Sequence, residues 1–280
     1  SSVRQKNQLG KLIDAIDDAG RPRVDVRYNE YQDSDHNRSE RYSLLYSFGT
    51  GNQNFDLNIK RTDTYSGTEK NRSEGASFGM NSNITEGLRF RAVAGLNRPG
   101  SGERTNLATG QFRLDAAVSN GTIGAIVDTD IINDTVNLIE NRIRATNYAS
   151  YVSKPWTARF STYGMYTYRA YSDGNHAHDA QFSPQFKVKL VPRLAIGYRF
   201  RFIDFVKQSG SGFFDPSNYT SHRLFSSFSF EKKKISAYID TFGGKQRFVR
   251  YHEPSDEWIV GASGAVAFKP ISQLTIEVNG

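Results

Sequence analysis

Cationic residues recur two apart along this chain: Arg89 with Arg91, Arg142 with Arg144, Lys187 with Lys189, and Arg199 with Arg201. In an extended strand that spacing puts both members of a pair on one face. Such a face bordering confined water concentrates anions and repels cations. Arg113 and Arg159 fall on the same face by parity, as do Tyr163 and Tyr238, whose rings can stack on a sugar or pack into a wall. His176, His178 and Asp179 sit together in what reads as a solvated loop. A metal needs three or four converging ligands, so no metal site is expected. No pair of carboxylates has a hydrolytic arrangement, and Ser221 beside His222 is too generic to mark a nucleophile. Gly49–Thr50–Gly51 is a turn signal and not a phosphate loop. Neither an enzyme nor a cofactor is expected.

The elements that must carry these residues are strands. From Arg23 onward the hydrophobic period is two: Val24, Val26 and Tyr28 alternate with Arg23, Asp25 and Arg27. Leu88, Phe90, Ala92, Ala94 and Leu96 alternate with Arg89 and Arg91, and Leu194, Ile196, Tyr198, Phe200 and Phe202 with Arg199 and Arg201. Ile143, Ala145, Ala149 and Tyr151 read as the apolar face opposite Arg142 and Arg144. The pattern repeats about fifteen times, often near the ten-residue length of a tilted membrane strand. Short turns, such as 82–87 and 119–121, alternate with longer polar connections at 32–40, 62–72, 98–106, 129–141, 172–178, 207–217 and 243–255. This predicts an all-β, transmembrane, up-and-down antiparallel barrel over residues 23–280. A soluble sandwich would have shorter strands and irregular connections. Residues 1–22 form a separate unit, because Val3, Leu9, Leu12, Ile13 and Ile16 repeat at helical spacing until Gly20 and Pro22. An amphipathic helix is expected over 3–18, on the side of the short turns, which in bacterial barrels is periplasmic. Single-chain bacterial barrels close with even strand numbers, and the sequence stops within a strand-like run. One further strand is therefore expected, sixteen in all, or fourteen if one run has been split in two.

The chain has 280 residues, 36 Lys and Arg against 29 Asp and Glu, and no cysteine. That composition leaves no disulfide, thiolate zinc or iron–sulfur chemistry, and no stretch approaches the roughly 20 apolar residues of a spanning helix. With apolar residues against lipid, the lumen would hold the ten cations named above and also Arg23, Arg27, Arg41, Lys60, Arg169 and Arg223. Six carboxylates would face them: Asp25, Asp56, Asp115, Asp128, Asp240 and Glu277. A net positive, anion-favouring lumen is expected. Tyr28, Trp156, Tyr166, Tyr168, Phe202, Phe230, Trp258 and Phe268 fit the interfacial girdles of a membrane barrel.

Two loop-to-strand returns read QFSPQF (181–186) and FFDPSNYTS (213–221), and GYRFRFIDF (197–205) leads into the second. These phrases resemble the C-terminal barrels of outer-membrane exopolysaccharide exporters, the cellulose and poly-N-acetylglucosamine porin type. In that family a periplasmic tetratricopeptide superhelix precedes a sixteen-stranded barrel. The resemblance implies that residues 3–18 correspond to the last helix of such a superhelix, or to a linker from it. It further implies a bacterial outer-membrane location, with outer-membrane lipid and a periplasmic tetratricopeptide scaffold as partners and no nucleic acid.

The leading expectation is export of an exopolysaccharide, anionic in character, through the basic lumen, with loops gating the outer mouth. An anion-selective or general porin for small solutes would show a long loop folded into the lumen. A barrel sheath around a periplasmic electron-transfer partner would show a wide, weakly constricted pore. An outer-membrane lipase-type enzyme would need a Ser–His pair at one rim.

Overall fold

The computed structural model describes residues 22–32, 37–50, 52–100, 105–189, 193–208, 215–232, 234–250, 252–271 and 274–279, with side chains up to residue 268. The helix expected over 3–18 lies outside the described residues. Fifteen strands follow in chain order: β1 (Arg23–Gln32), β2 (Asn37–Thr50), β3 (Gln53–Ser66), β4 (Glu69–Thr85), β5 (Leu88–Pro99), β6 (Leu107–Val118) and β7 (Gly121–Ile131). A short helix α1 (Val136–Glu140) precedes β8 (Arg144–Pro155), β9 (Phe160–Tyr171), β10 (His176–Lys189) and β11 (Arg193–Phe205). Then come β12 (Ser217–Lys232), β13 (Ile235–Arg250), β14 (Glu253–Ile271) and β15 (Leu274–Asn279).

Each strand pairs antiparallel with its sequence neighbour, and β1 pairs with β15, closing the barrel. An odd number of up-and-down strands leaves the first and last pointing the same way. The seam is accordingly parallel, with Val24 opposite Leu274, Val26 opposite Ile276 and Tyr28 opposite Val278. The expected sixteenth strand has no counterpart among the described residues.

The outer surface is apolar where a bilayer would touch it. Val26, Leu44, Ile59, Phe78, Leu96, Phe112, Ile196, Leu224 and Val260 are all exposed. A water-facing surface so uniformly apolar would aggregate, so this face is lipid-facing. Aromatic rings edge it: Tyr28 lies 5.1 Å from Tyr42 near one rim, and Phe48, Phe55 and Phe78 stack at 5.2 and 5.8 Å near the other.

The rim that carries residues 86–87 and 119–120 is the turn rim; the opposite one is the far rim. Polar stretches expected as far-rim loops prove partly to be wall. Residues 62–72 belong to β3 and β4, joined by Gly67 and Thr68 alone, with Gly67 at φ +59°. Residues 243–250 belong to β13 and 253–255 to β14. Above the bilayer both faces of a strand meet water, so alternation fades while pairing persists. Cross-strand ion pairs such as Asp63–Arg72 (3.0 Å) hold the taller hairpins. His176 and His178 likewise stand in β10 and not in a loop.

Aromatic rings lie against glycines of a neighbouring strand on the inner face. A Cβ at Gly124 would collide with the Tyr151 ring, and one at Gly197 with Phe225. Gly197→Val is expected to cost about 1–3 kcal/mol through overpacking. Urea unfolding from phospholipid vesicles should show a lower midpoint with an unchanged slope.

Candidate functional site

The site is the lumen, and its most consequential element is the segment between β7 and β8. It carries Ile131, Ile132, Val136, Leu138, Ile139 and Ile143, six branched aliphatics within thirteen residues. Burying such a side chain is worth roughly 1.5–3 kcal/mol, and the segment does so by turning inward. Thr135 caps α1 by accepting from the Leu138 amide at 3.3 Å. Leu138 and Ile139 are 0% exposed and Val136 1%. Leu138 packs in a cluster with Ile143, Ala145, Tyr171, Ala177 and Phe205, inner-wall groups at β8 to β11. The helix also touches β3 and β4, across the ring. On that side Thr64 Oγ1 donates to the Asn133 carbonyl at 2.9 Å, and Ser66 Oγ accepts from the Val136 amide at 3.3 Å. Lys60 reaches Asp130 at 2.8 Å. Because β3 and β10 are seven strands apart in a ring of fifteen, the segment spans the lumen near the far rim. The expectation of a merely polar connection at 129–141 overlooked this; its aliphatic run was the available signal.

The same packing overturns one parity assignment. Ile143, Ala145, Ala149 and Tyr151 were expected to face lipid, with Arg144 inward. Tyr148 and Val152 are the exposed pair instead, while Ala145 and Tyr151 are buried. Arg144 therefore stands on the outer face, at the far-rim end of β8. The inner wall is apolar here because it receives α1, so hydrophobicity marked the plug and not the lipid. Arg142 lies before the strand at φ +53° and is no wall residue. Arg159 lies in the 156–159 turn. A bulge between Lys187 and Lys189 breaks their shared face: Lys187 opposes the buried Ala195, whereas Lys189 opposes Leu194 on the lipid side.

Arg89, Arg91, Arg113, Lys187, Arg199 and Arg201 do face inward, by register with their exposed apolar neighbours. Many inward cations are already paired. Asp179, 2% exposed, accepts from Arg169 and Arg201 at 2.7 Å each. Asp115 binds Arg113 at 3.0 Å and also Tyr151, over whose ring that guanidinium lies. Asp25 takes Arg23 and Arg27, and Asp56 takes Arg91 at 3.8 Å. With Lys60–Asp130, seven cations share five carboxylates. Among the described residues Arg41, Arg89, Lys187, Arg199 and Arg223 have no carboxylate at ion-pair distance. Arg199 and Arg223 lie over Phe225 and Phe242, 4.9 and 4.8 Å from the ring centres. The excess of positive charge survives but is smaller than the sequence count implied.

Tyr163 and Tyr238 both point inward. Tyr163 packs against Tyr151 at 6.1 Å and meets the Met165 sulfur at 3.1 Å, so it is part of the wall. Tyr238 is 43% exposed near the turn rim, where its ring is open to the lumen. Asp179 points inward and His176 and His178 outward, so the three do not converge, and no metal-binding group forms among the described residues.

No family model matches the chain, and no curated protein matches it. Among solved structures it is similar to one described as a bacterial polysaccharide outer membrane secretin, with a TM-score of 0.65 at 9% identity, over 84% of this chain and 80% of that one. It also aligns with the siderophore receptor PirA from Acinetobacter baumannii, at a TM-score of 0.42 and 10% identity over 90% of this chain and 60% of that one. The first likeness establishes the fold: this chain has the architecture of a bacterial outer-membrane barrel.

Asp179→Ala would leave Arg169 and Arg201 without their shared partner. Removing one side of a buried ion pair costs about 3–5 kcal/mol, less here because both arginines remain about a third exposed. A drop of about 2 kcal/mol in unfolding free energy is expected in the same vesicle assay, with Asp256→Ala, on the outer face, as a near-silent control.

Proposed function

We propose that this barrel is an outer-membrane channel exporting an extended, acidic polysaccharide from the periplasm. The observation that carries the proposal is an inner wall polar from the turn rim upward, with cations in excess, closed near the far rim by one separable segment. Turn rims of bacterial barrels face the periplasm, so the polymer would enter there and leave past α1. A polymer in transit needs many weak contacts and no deep trap. Guanidiniums half-neutralised by neighbouring carboxylates supply such contacts. The chemistry is passage alone, with no catalytic step. A periplasmic scaffold of tetratricopeptide type would deliver the polymer at the turn rim. The fold shared with a polysaccharide secretin supports this reading.

A second reading is an anion-selective porin for small solutes. The inward segment favours it specifically, since a constriction spanning the lumen sets a size limit. The sheath reading fares worse, because a segment lying across the diameter leaves no room for a folded partner.

The two readings part on whether α1 moves. Since the chain has no cysteine, Thr64→Cys and Asn133→Cys can be bridged by a short bifunctional thiol reagent. An export gate predicts that bridging silences polymer release from loaded vesicles and that cleavage of the bridge restores it. Steady ion current in planar bilayers, indifferent to the bridge, would favour the porin. In either case reversal potentials under a salt gradient should show anion preference, reduced in Arg199→Glu. Cation preference in the unmodified protein would count against both.

A further inference from the structure

Two cavities adjoin along the inner face of β1 to β7, and Arg91 lines both. The one at the turn rim encloses about 450 Å³, within the range of roughly 300–1,000 Å³ of ligand clefts. Asn52, Asn54, Asn81 and Asn83 line it with Arg89 and Arg91. Some of these groups are committed. Asn81 donates to Asp56 at 3.3 Å, and the same carboxylate lies 3.8 Å from Arg91. Among the described residues no side-chain partner engages Arg89, Asn52, Asn54 or Asn83. A cation and three amides thus converge on one space with their bonding capacity unspent.

We infer that this cavity is a subsite for a uronate-bearing glycan, with Arg89 receiving the sugar carboxylate and the asparagines its hydroxyls. The inference rests on the channel reading above and names the substrate class of its entrance. A guanidinium offers a planar fork that matches a carboxylate with two parallel hydrogen bonds. Each asparagine offers a donor and an acceptor, matching a hydroxyl, which is also both. The charge fits a monoanion: Arg89, Arg91 and Arg113 share two carboxylates, Asp56 and Asp115, the latter lining the cavity opposite Arg89, so the group carries one net positive charge. A phosphomonoester, at about −1.5 to −2, would exceed it. Across the lumen Arg199 and Arg223 have aromatic rings against their flat faces, and Arg223 already donates to Ser221 and Tyr219. The second cavity continues the path upward past Arg91 to Lys60 and Asp130, where the α1 segment begins.

The test is titration calorimetry of the full chain in detergent micelles with a uronate trisaccharide. Its carboxyl-reduced neutral counterpart and a sulfated trisaccharide serve as comparison ligands. The uronate is expected to bind most tightly. Arg89→Gln should weaken it about tenfold or more, the scale of a charge-assisted bidentate pair. Arg89→Lys, which keeps charge but loses the fork, should fall between. Asn54→Ala with Asn83→Ala should weaken uronate and neutral ligand alike, and Arg144→Gln, on the outer face, should leave both unchanged. Heat-modifiable gel mobility verifies that each variant is folded. Equal binding of the neutral counterpart, stronger binding of the sulfated one, or indifference to Arg89→Gln would overturn the subsite. A barrel that conducts ions yet ignores uronates overturns the subsite alone. A barrel that binds uronates but releases no polymer, even with the 132–141 segment deleted, overturns the export reading alone.

Discussion

A sheet in a bilayer cannot keep an edge. Each unpaired N–H or C=O in hydrocarbon costs several kcal/mol, so the strands must close on themselves. Here closure falls to β1 and β15, which pair at five positions, as few as any ladder among the described residues. Parallel pairing is slightly weaker per residue than antiparallel, and the seam runs in register with Val24, Val26 and Tyr28 paired to positions 274, 276 and 278. Once the ring is closed, alternation sorts every side chain to lipid or lumen. The wall, the charge inventory and the space crossed by α1 all follow from that closure.

Inside the ring two kinds of burial compete. Near the turn rim and mid-wall, guanidiniums such as those of Arg91 and Arg113 stay partly wet even where Asp56 and Asp115 pair with them. Near the far rim, the Leu138 cluster excludes water, and Asp179 is buried between Arg169 and Arg201. The dry region is rigid because it is packed, and the wet region adaptable because it is not. A polymer moving from one rim to the other would pass from solvent-like contacts to a closed apolar barrier.

Most of the wall was legible in the sequence, because a lipid-facing surface imposes a strict period of two; Arg89, Arg91, Arg199 and Arg201 fell where parity put them. The period misled where water or protein replaced lipid. Strands above the bilayer, such as 62–66 and 69–72, are polar on both faces and read as loops. Ala145 looked lipid-facing because the plug it receives is as apolar as a membrane, and Tyr151 because its ring packs inward on Gly124 with its hydroxyl on Asp115. Lys189 lost its face to a bulge, which leaves no trace in composition. Helix α1 has only five residues, too few for a helical period to register, and its aliphatic run was the sole clue. Pairings such as Asp115 with Arg113 and Tyr151 depend on cross-strand register, which one sequence does not specify.

The inward segment joins two strands that are already paired to each other, Ile131 opposing Arg144 at its base. Its anchors to the wall include the Asn133 carbonyl, the Val136 amide, the Arg142 guanidinium on Thr105 at 3.4 Å and the apolar contacts of Leu138. None of these is a ladder bond. The segment can therefore swing out without breaking any interstrand bond of the wall, so its motion and the barrel's unfolding have separate kinetic barriers. Lid-like openings run on microseconds to seconds, whereas a closed barrel can persist far longer. Substitutions in α1 would therefore act on the segment's own barrier and leave the interstrand bonds that hold the ring as they are.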